Sequence, residues 1–156
     1  MDQKLDEIDL RILAVLQTDA SLSMDALADR VHLSRNACWR RVRQMEETGV
    51  IRARVALVDP EALGLGLSVL VMIRTNAHRP DWLDTFETTV RTMPEIIGAY
   101  RMTGDLDYVL RVRVADVRGY DRFYKRLIAR VPLADISASF VMDEIKETTS
   151  LPLVPG

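Results

Sequence analysis

Residues 34–45 read SRNACWRRVRQM. Four arginines and no acid fall in these twelve residues, in a chain whose formal charge is −2. Cys38, Val42 and Met45 recur at i, i+4 and i+7, a spacing that stacks them on one side of an α-helix at about 100° per residue. Asn36, Arg40 and Arg43 then point the opposite way. Trp39 and Arg35 fall on the flank. Arg41 lies beside the apolar stripe, where its stem can pack and its charged head reach solvent. Ser34 is placed to cap this helix and Gly49 to stop it just beyond Glu47.

Upstream, Leu5, Ile8, Ile12 and Leu16 recur at helical spacing. Asp6 suits the N-cap and Asp9 the third helical position of a capping box, with Leu5 and Leu10 set as a hydrophobic staple. After the polar TDASLS, Ser23 caps a second short helix, MDALADRV, with Leu27, Ala28 and Val31 inward. The connection HLS is tight. His32 sits where a positive φ is needed, which histidine tolerates better than most non-glycine residues. Three short helices with a tight turn before the last describe a helix-turn-helix. About 50 residues make a marginal domain, so support from the rest of the chain or from a second copy is expected.

Downstream, RARVALV (52–58) alternates as a strand. Asp59-Pro60-Glu61 reads as a cap with proline opening one helical turn, ended by Gly64 and Gly66. LSVLVMIRT (67–75) is apolar on both faces. PDWLDTFETTVRTM (80–93) puts Trp82, Phe86, Val90 and Met93 on one side. IIGAYRM and DYVLRVRV flank the turn TGDL, with Tyr108, Leu110, Val112 and Val114 facing one way. RGYDRFYKRLIARV (118–131) is an amphipathic helix, and DISASFVMDEIK (135–146) reads as the last strand. The order βαββαβ is the ferredoxin-like split unit. The fold class expected is α+β: a winged-type helix-turn-helix over 1–51, a linker strand and helical turn over 52–66, and a ferredoxin-like domain over 67–156. Two helices cover one sheet face. The other face is partly apolar and calls for a second copy.

Composition narrows the function. The chain has 156 residues, 48% hydrophobic and 28% charged, which is globular rather than disordered. No apolar run approaches the ~18–20 residues that cross a bilayer. The acidic start MDQKLDEIDLRIL lacks the marks of a secretory signal, so a cytoplasmic location is expected. Cys38 is the single cysteine, and neither His32 nor His78 sits at ligand spacing, so neither metal nor cofactor is expected. No Ser/His/Asp set, Cys/His pair or phosphate loop points to an enzyme. The charge is uneven. Residues 1–33 carry seven acids and three bases, whereas residues 34–54 carry six arginines and two glutamates.

A basic patch on an acidic body points to double-stranded DNA. Arginine offers a planar fork to guanine O6/N7 or to phosphate, so Arg35, Arg40 and Arg43 are candidate contacts, and Asn36 a candidate reader of adenine. Ser34 and the helix N-terminus suit a phosphate. Arg52 and Arg54 extend the basic surface. Trp39 either packs or touches the DNA backbone. A solvated helix face is the plainer alternative. It is weakened by the sign bias and by placement on the last helix of the three. Cys38 shares the inward stripe and reads as a core residue.

LDEIDLRIL, LADRVHLSRNACWRRVRQMEETGVI, TGDLDYVLRVRV and VMDEIK together resemble the Lrp/AsnC (feast/famine) transcriptional regulators over nearly the whole chain. His32 departs from the glycine that many members carry. CWRRVRQME, VALVDPEALGLGL, MPEIIGAYRMTGDLDYVLRVRVAD, YDRFYKRL and TTSLP are similar to a cysteine-responsive branch. The resemblance implies a ferredoxin-like (RAM- or ACT-like) domain that binds a small amino acid, L-cysteine foremost, between subunits near TGDLDY and the last strand. It also implies a homo-oligomer, a dimer assembling to a tetramer or octamer, with no membrane partner. Asp105 and Asp107 would accept from the ammonium, and Gly104 would let backbone N–H groups approach the carboxylate. Met102, Tyr108, Ser137, Ser139 and Phe140 would line the side-chain end. Read without the resemblance, the same stretch is a plain hairpin turn. Two other functions stay open: an effector-independent architectural DNA-binding protein, and a small-molecule enzyme on the βαββαβ half.

Overall fold

A computed structural model describes residues 5–75 and 79–153; His78 lies outside them. The chain divides into two compact units. One runs to Leu57 and is joined by the tail from Lys146; the other is Val58–Ile145.

The first unit holds α1 (Glu7–Leu16), α2 (Met24–Val31) and α3 (Arg35–Glu47). Each start is set by a side chain that satisfies backbone N–H groups the helix leaves open. Asp6 accepts from the N–H of Ile8 and Asp9 at 2.9 and 2.8 Å, and Asp9 reaches back to the Asp6 N–H at 3.2 Å, closing the capping box. Ser23 and Ser34 cap α2 and α3 through the N–H of Ala26 and Ala37. His32 ends α2 in the left-handed region, at φ 57° and ψ 48°. Gly49, at φ 78°, follows α3. Ile12, Leu27, Val31, Cys38, Val42 and Met45 form the buried core.

Arg41 corrects the sequence reading. Its head does not run to solvent: Nη1 donates to Asp6 and to Asp9, at 2.8 Å each. One guanidinium thereby ties the capping box of α1 to α3. The expected second domain runs to 156; by contacts the tail groups with the helices. The Gln17 amide donates to the Leu151 carbonyl at 3.1 Å and accepts from its N–H at 2.7 Å, and Leu153 packs against the helical core.

The second unit is β1 (Leu67–Arg74), α4 (Pro80–Thr92), β2 (Ile96–Arg101), β3 (Tyr108–Val114), α5 (Val117–Arg130) and β4 (Asp135–Phe140). Its sheet has the order β2-β3-β1-β4, and every neighbouring pair is antiparallel. The period of two divides its faces. Val69, Val71, Ile73, Leu110 and Val112 turn to the core with Trp82, Phe86, Phe123 and Leu127. Leu70, Met72 and Arg74 of β1 share the other face with Val109 and Arg111, their cross-strand partners or neighbours, and with Ser137 and Ser139.

Two expected strands come out differently. Residues 52–58 make no ladder among the described residues, and Val55, Leu57 and Val58 are exposed. A strand needs a neighbouring backbone, and the described chain offers this one none. The last strand ends at Phe140 rather than 146: its pairing with β1 stops at Val69–Phe140. The turn after Pro60 forms as expected, with Asp59 accepting from the Glu61 N–H at 2.9 Å. No described helix is long and apolar enough to cross a membrane.

Candidate nucleic-acid interface and effector loop

The stripe Asn36, Arg40, Arg43 lies on the exposed side of α3, opposite buried Cys38, Val42 and Met45. Burial pushes the Cys38 thiol up, as suits a core residue rather than a reactive one. The basic residues fall into two groups. Arg35 pairs with Asp25 at 3.2 Å, Arg43 with Glu47 at 2.7 Å, and Arg54 with Glu46 at 2.7 Å. Arg40 and Arg52 have no such partner among the described residues and are exposed. Trp39 is half-exposed, with the Arg43 guanidinium 5.2 Å from its ring centre. These acids were missed from sequence, although Glu47 stands at i+4 from Arg43 and so was within reach of a spacing argument.

In the second unit the candidate effector residues do not form one cluster. Met102, Gly104 and Asp105 are exposed on the β2–β3 loop, with Gly104 at φ 103°. Asp107 is already engaged, at the end of β1: its carboxylate accepts from the Thr75 N–H at 2.7 Å. Ser137 and Ser139 lie on the open face of the sheet, across from Met72 and Leu70. Tyr108 and Phe140 lie on the other face. The Tyr108 ring sits 4.6 Å from Phe86 in the core, and Phe140 meets Tyr120 edge-on at 5.4 Å. In β4 the period of two puts Phe140 on the opposite face from Ser137 and Ser139, in register with Val69, and Tyr108 of β3 pairs with Ile73 on that same core face. Arg74 was missed altogether. Its Nε donates to the Asp105 carbonyl at 2.8 Å and its Nη1 to Asp135 at 3.2 Å, joining the loop to β4.

Comparison with known proteins matches both halves. Residues 5–52 fit the family model for winged helix-turn-helix DNA-binding domains, and residues 68–151 fit that for the Lrp/AsnC ligand binding domain. The DNA-binding transcriptional activator DecR of Escherichia coli K12 is 49% identical over 150 residues, covering 96% of this chain and 99% of that protein. The glutamate uptake regulatory protein of Zymomonas mobilis is 50% identical over 153 residues, covering 98% and 93%. A transcriptional regulator of Neisseria meningitidis, solved as its complex with L-methionine, superposes with a TM-score of 0.91 at 36% identity, covering 95% and 96%. A capped helix-turn-helix with an arginine face, followed by an antiparallel βαββαβ unit, is thus matched from end to end by relatives that regulate transcription: the chain belongs to the Lrp/AsnC family of DNA-binding transcriptional regulators with an amino-acid-binding domain, and is not an enzyme.

Proposed function

We propose that this regulator reads duplex DNA in the cytoplasm through α3 and that a small amino acid, L-cysteine first, modulates that binding. The observation that carries the DNA half is the exposed stripe Asn36, Arg40, Arg43, built on a helix whose opposite side is wholly buried. A recognition helix needs that division: one side fixes it to the domain and the other enters the major groove. Ser34 and Arg35 at its start, Trp39 on its flank and Arg52 and Arg54 beyond it complete the contact set. The amino-acid half is supported by the ligand-binding family model and by the relative held with L-methionine. L-Cysteine is favoured by the similarity of the stretches around residues 38–46 and 93–116 to the cysteine-responsive branch. Met102, Gly104 and Asp105 on the loop, with Arg74 behind it, and Ser137 and Ser139 on the open face, are the residues that would meet the ligand.

The protein acts as a homo-oligomer. Leu70, Tyr100 and Phe140 on the sheet and Val55, Leu57 and Val58 in the linker are large exposed apolar side chains, more than a lone chain of this size leaves without cause. A dimer would set two recognition helices about one DNA turn apart, or a multiple of it. The effector then shifts the population of assemblies by its differential affinity for them.

The test is fluorescence anisotropy with the duplex upstream of the protein's own gene. Arg40→Ala with Arg43→Ala is expected to weaken binding about tenfold or more, at the ~1–3 kcal/mol typical of a good arginine contact. Unchanged binding by that double variant, with its fold intact by circular dichroism, would remove α3 from the interface.

A further inference from the structure

The arginines of α3 are not held alike, and the difference assigns them different work. Arg43 is contacted from two sides. Its Nε donates to Glu47 at 2.7 Å, and its guanidinium lies 5.2 Å from the centre of the Trp39 ring. The Glu47 bond takes Nε, so the donors left for a ligand are the two Nη groups, the edge that pairs with guanine O6 and N7. Arg40, one turn earlier on the same stripe, has neither a carboxylate nor a ring beside it among the described residues.

The position of Glu47 also needs a cause. It stands with Glu46 in the last turn of α3, which carries no basic residue, where the helix dipole disfavours negative charge. It is also on the stripe that faces DNA, at i+4 from Arg43 and i+11 from Asn36, where phosphate repels it. A carboxylate against both fields is explained if its task is to hold an arginine.

We propose that Arg43 is the base-reading arginine of this regulator, with Glu47 and Trp39 as its positioning residues, and that Arg40 is a sequence-independent phosphate contact. The proposal rests on α3 being the recognition helix and says which of its residues carries specificity. A guanidinium already held in plane loses less freedom when it meets a base edge, so the gain falls on the correct base. A mobile arginine meets phosphate wherever it lies.

The experiment compares the anisotropy Kd for the duplex upstream of the protein's own gene with that for a scrambled duplex of the same composition, over a salt series, on the full chain. Arg43→Lys keeps the charge and loses the fork. It is expected to narrow the ratio of the two Kd values about tenfold or more, with binding to the scrambled duplex little changed. Glu47→Ala and Trp39→Ala are expected to narrow the ratio in the same way, Glu47→Ala while tightening binding to the scrambled duplex. Glu47→Gln and Trp39→Phe keep an acceptor and a ring and should restore the ratio. Arg40→Ala should weaken both duplexes by one factor and lower the log–log salt slope by about 2 units for a dimer, at ~0.9 per phosphate contact. The proposal is overturned if Arg43→Lys or Glu47→Ala changes both Kd values equally, or if Glu47→Gln fares no better than Glu47→Ala. Failure of the reading beneath it looks different: the wild-type protein would not discriminate between the duplexes, and Arg40→Ala would change neither.

Discussion

At the scale of single residues, Arg41 and Arg43 divide the labour of α3. Arg43 faces outward, and Arg41 turns in to Asp6 and Asp9. Asp9 is buried, so Arg41→Ala strands a carboxylate that has little water to turn to. The expected cost is about 1–3 kcal/mol, read as a lower urea midpoint. An unchanged midpoint would mean the guanidinium contributes nothing net. The same cluster sets an acid response. The backbone N–H of Asp9, then Arg41, holds the Asp6 carboxyl below its ordinary value of 3.8. A depressed folded-state pKa adds stability that is present above the ordinary value and is lost as pH falls through the lowered one. Stability measured between about pH 5 and 2 should therefore fall less steeply in Asp6→Asn than in the wild type. Equal slopes would count against this. The sequence made the inward stripe of Cys38, Val42 and Met45 legible, because burial leaves a period. It could not show the Arg41 partners, 32 and 35 positions away, because an ion pair across the chain leaves no local pattern.

At the scale of elements, the caps were readable because each needs one side chain at one fixed position: Asp6, Ser23 and Ser34 all cap as their spacing demanded. His32 took the left-handed turn for the same local reason. Four of the five expected strands form, and residues 52–58 make no ladder among the described residues. Where a strand ends depends on its partner: residues 52–58 have the alternation without a ladder among the described residues, and past Phe140 a single backbone bond, Val141 N–H to the Ser68 carbonyl, continues the pairing with β1. The tail's contact with the helices was not legible, because a glutamine that binds backbone reads as an ordinary polar residue. Its role has a direct check. Gln17 satisfies both polar groups of Leu151, and Leu153 covers part of the helical core. Removing residues 151–156 should lower the stability of the helical unit by about 1–3 kcal/mol, read as a lower urea midpoint, since a lost apolar contact and two exposed hydrogen bonds each contribute on the order of 1 kcal/mol. A midpoint unmoved by the truncation would make the tail an ornament.

At the scale of the whole molecule, the open sheet face and the unpaired linker call for a second copy. Leu70 stands on that face between Arg111 and Ser139 and is 38% exposed in the single chain. Leu70→Lys should leave the far-UV circular dichroism intact. It should raise the dissociation constant of the assembly about tenfold or more in sedimentation velocity, because a charge buried without a partner is costly. An assembly indifferent to Leu70→Lys would move the interface elsewhere. The turn at Gly104 was legible in the sequence, and Arg74, which joins that loop from β1, was not. In the proposed assembly the effector pocket is built from surfaces of two chains, and a sequence shows the loop but not what closes over it. The most direct measurement is anisotropy of the duplex upstream of the protein's own gene at one fixed salt concentration, with each amino acid added in turn and L-cysteine first. The expected result is binding that prefers this duplex to a scrambled one and shifts about fivefold or more with one amino acid, the lower range of allosteric coupling. Binding that no amino acid moves would contradict the effector half of the account, and no binding at all would contradict both halves.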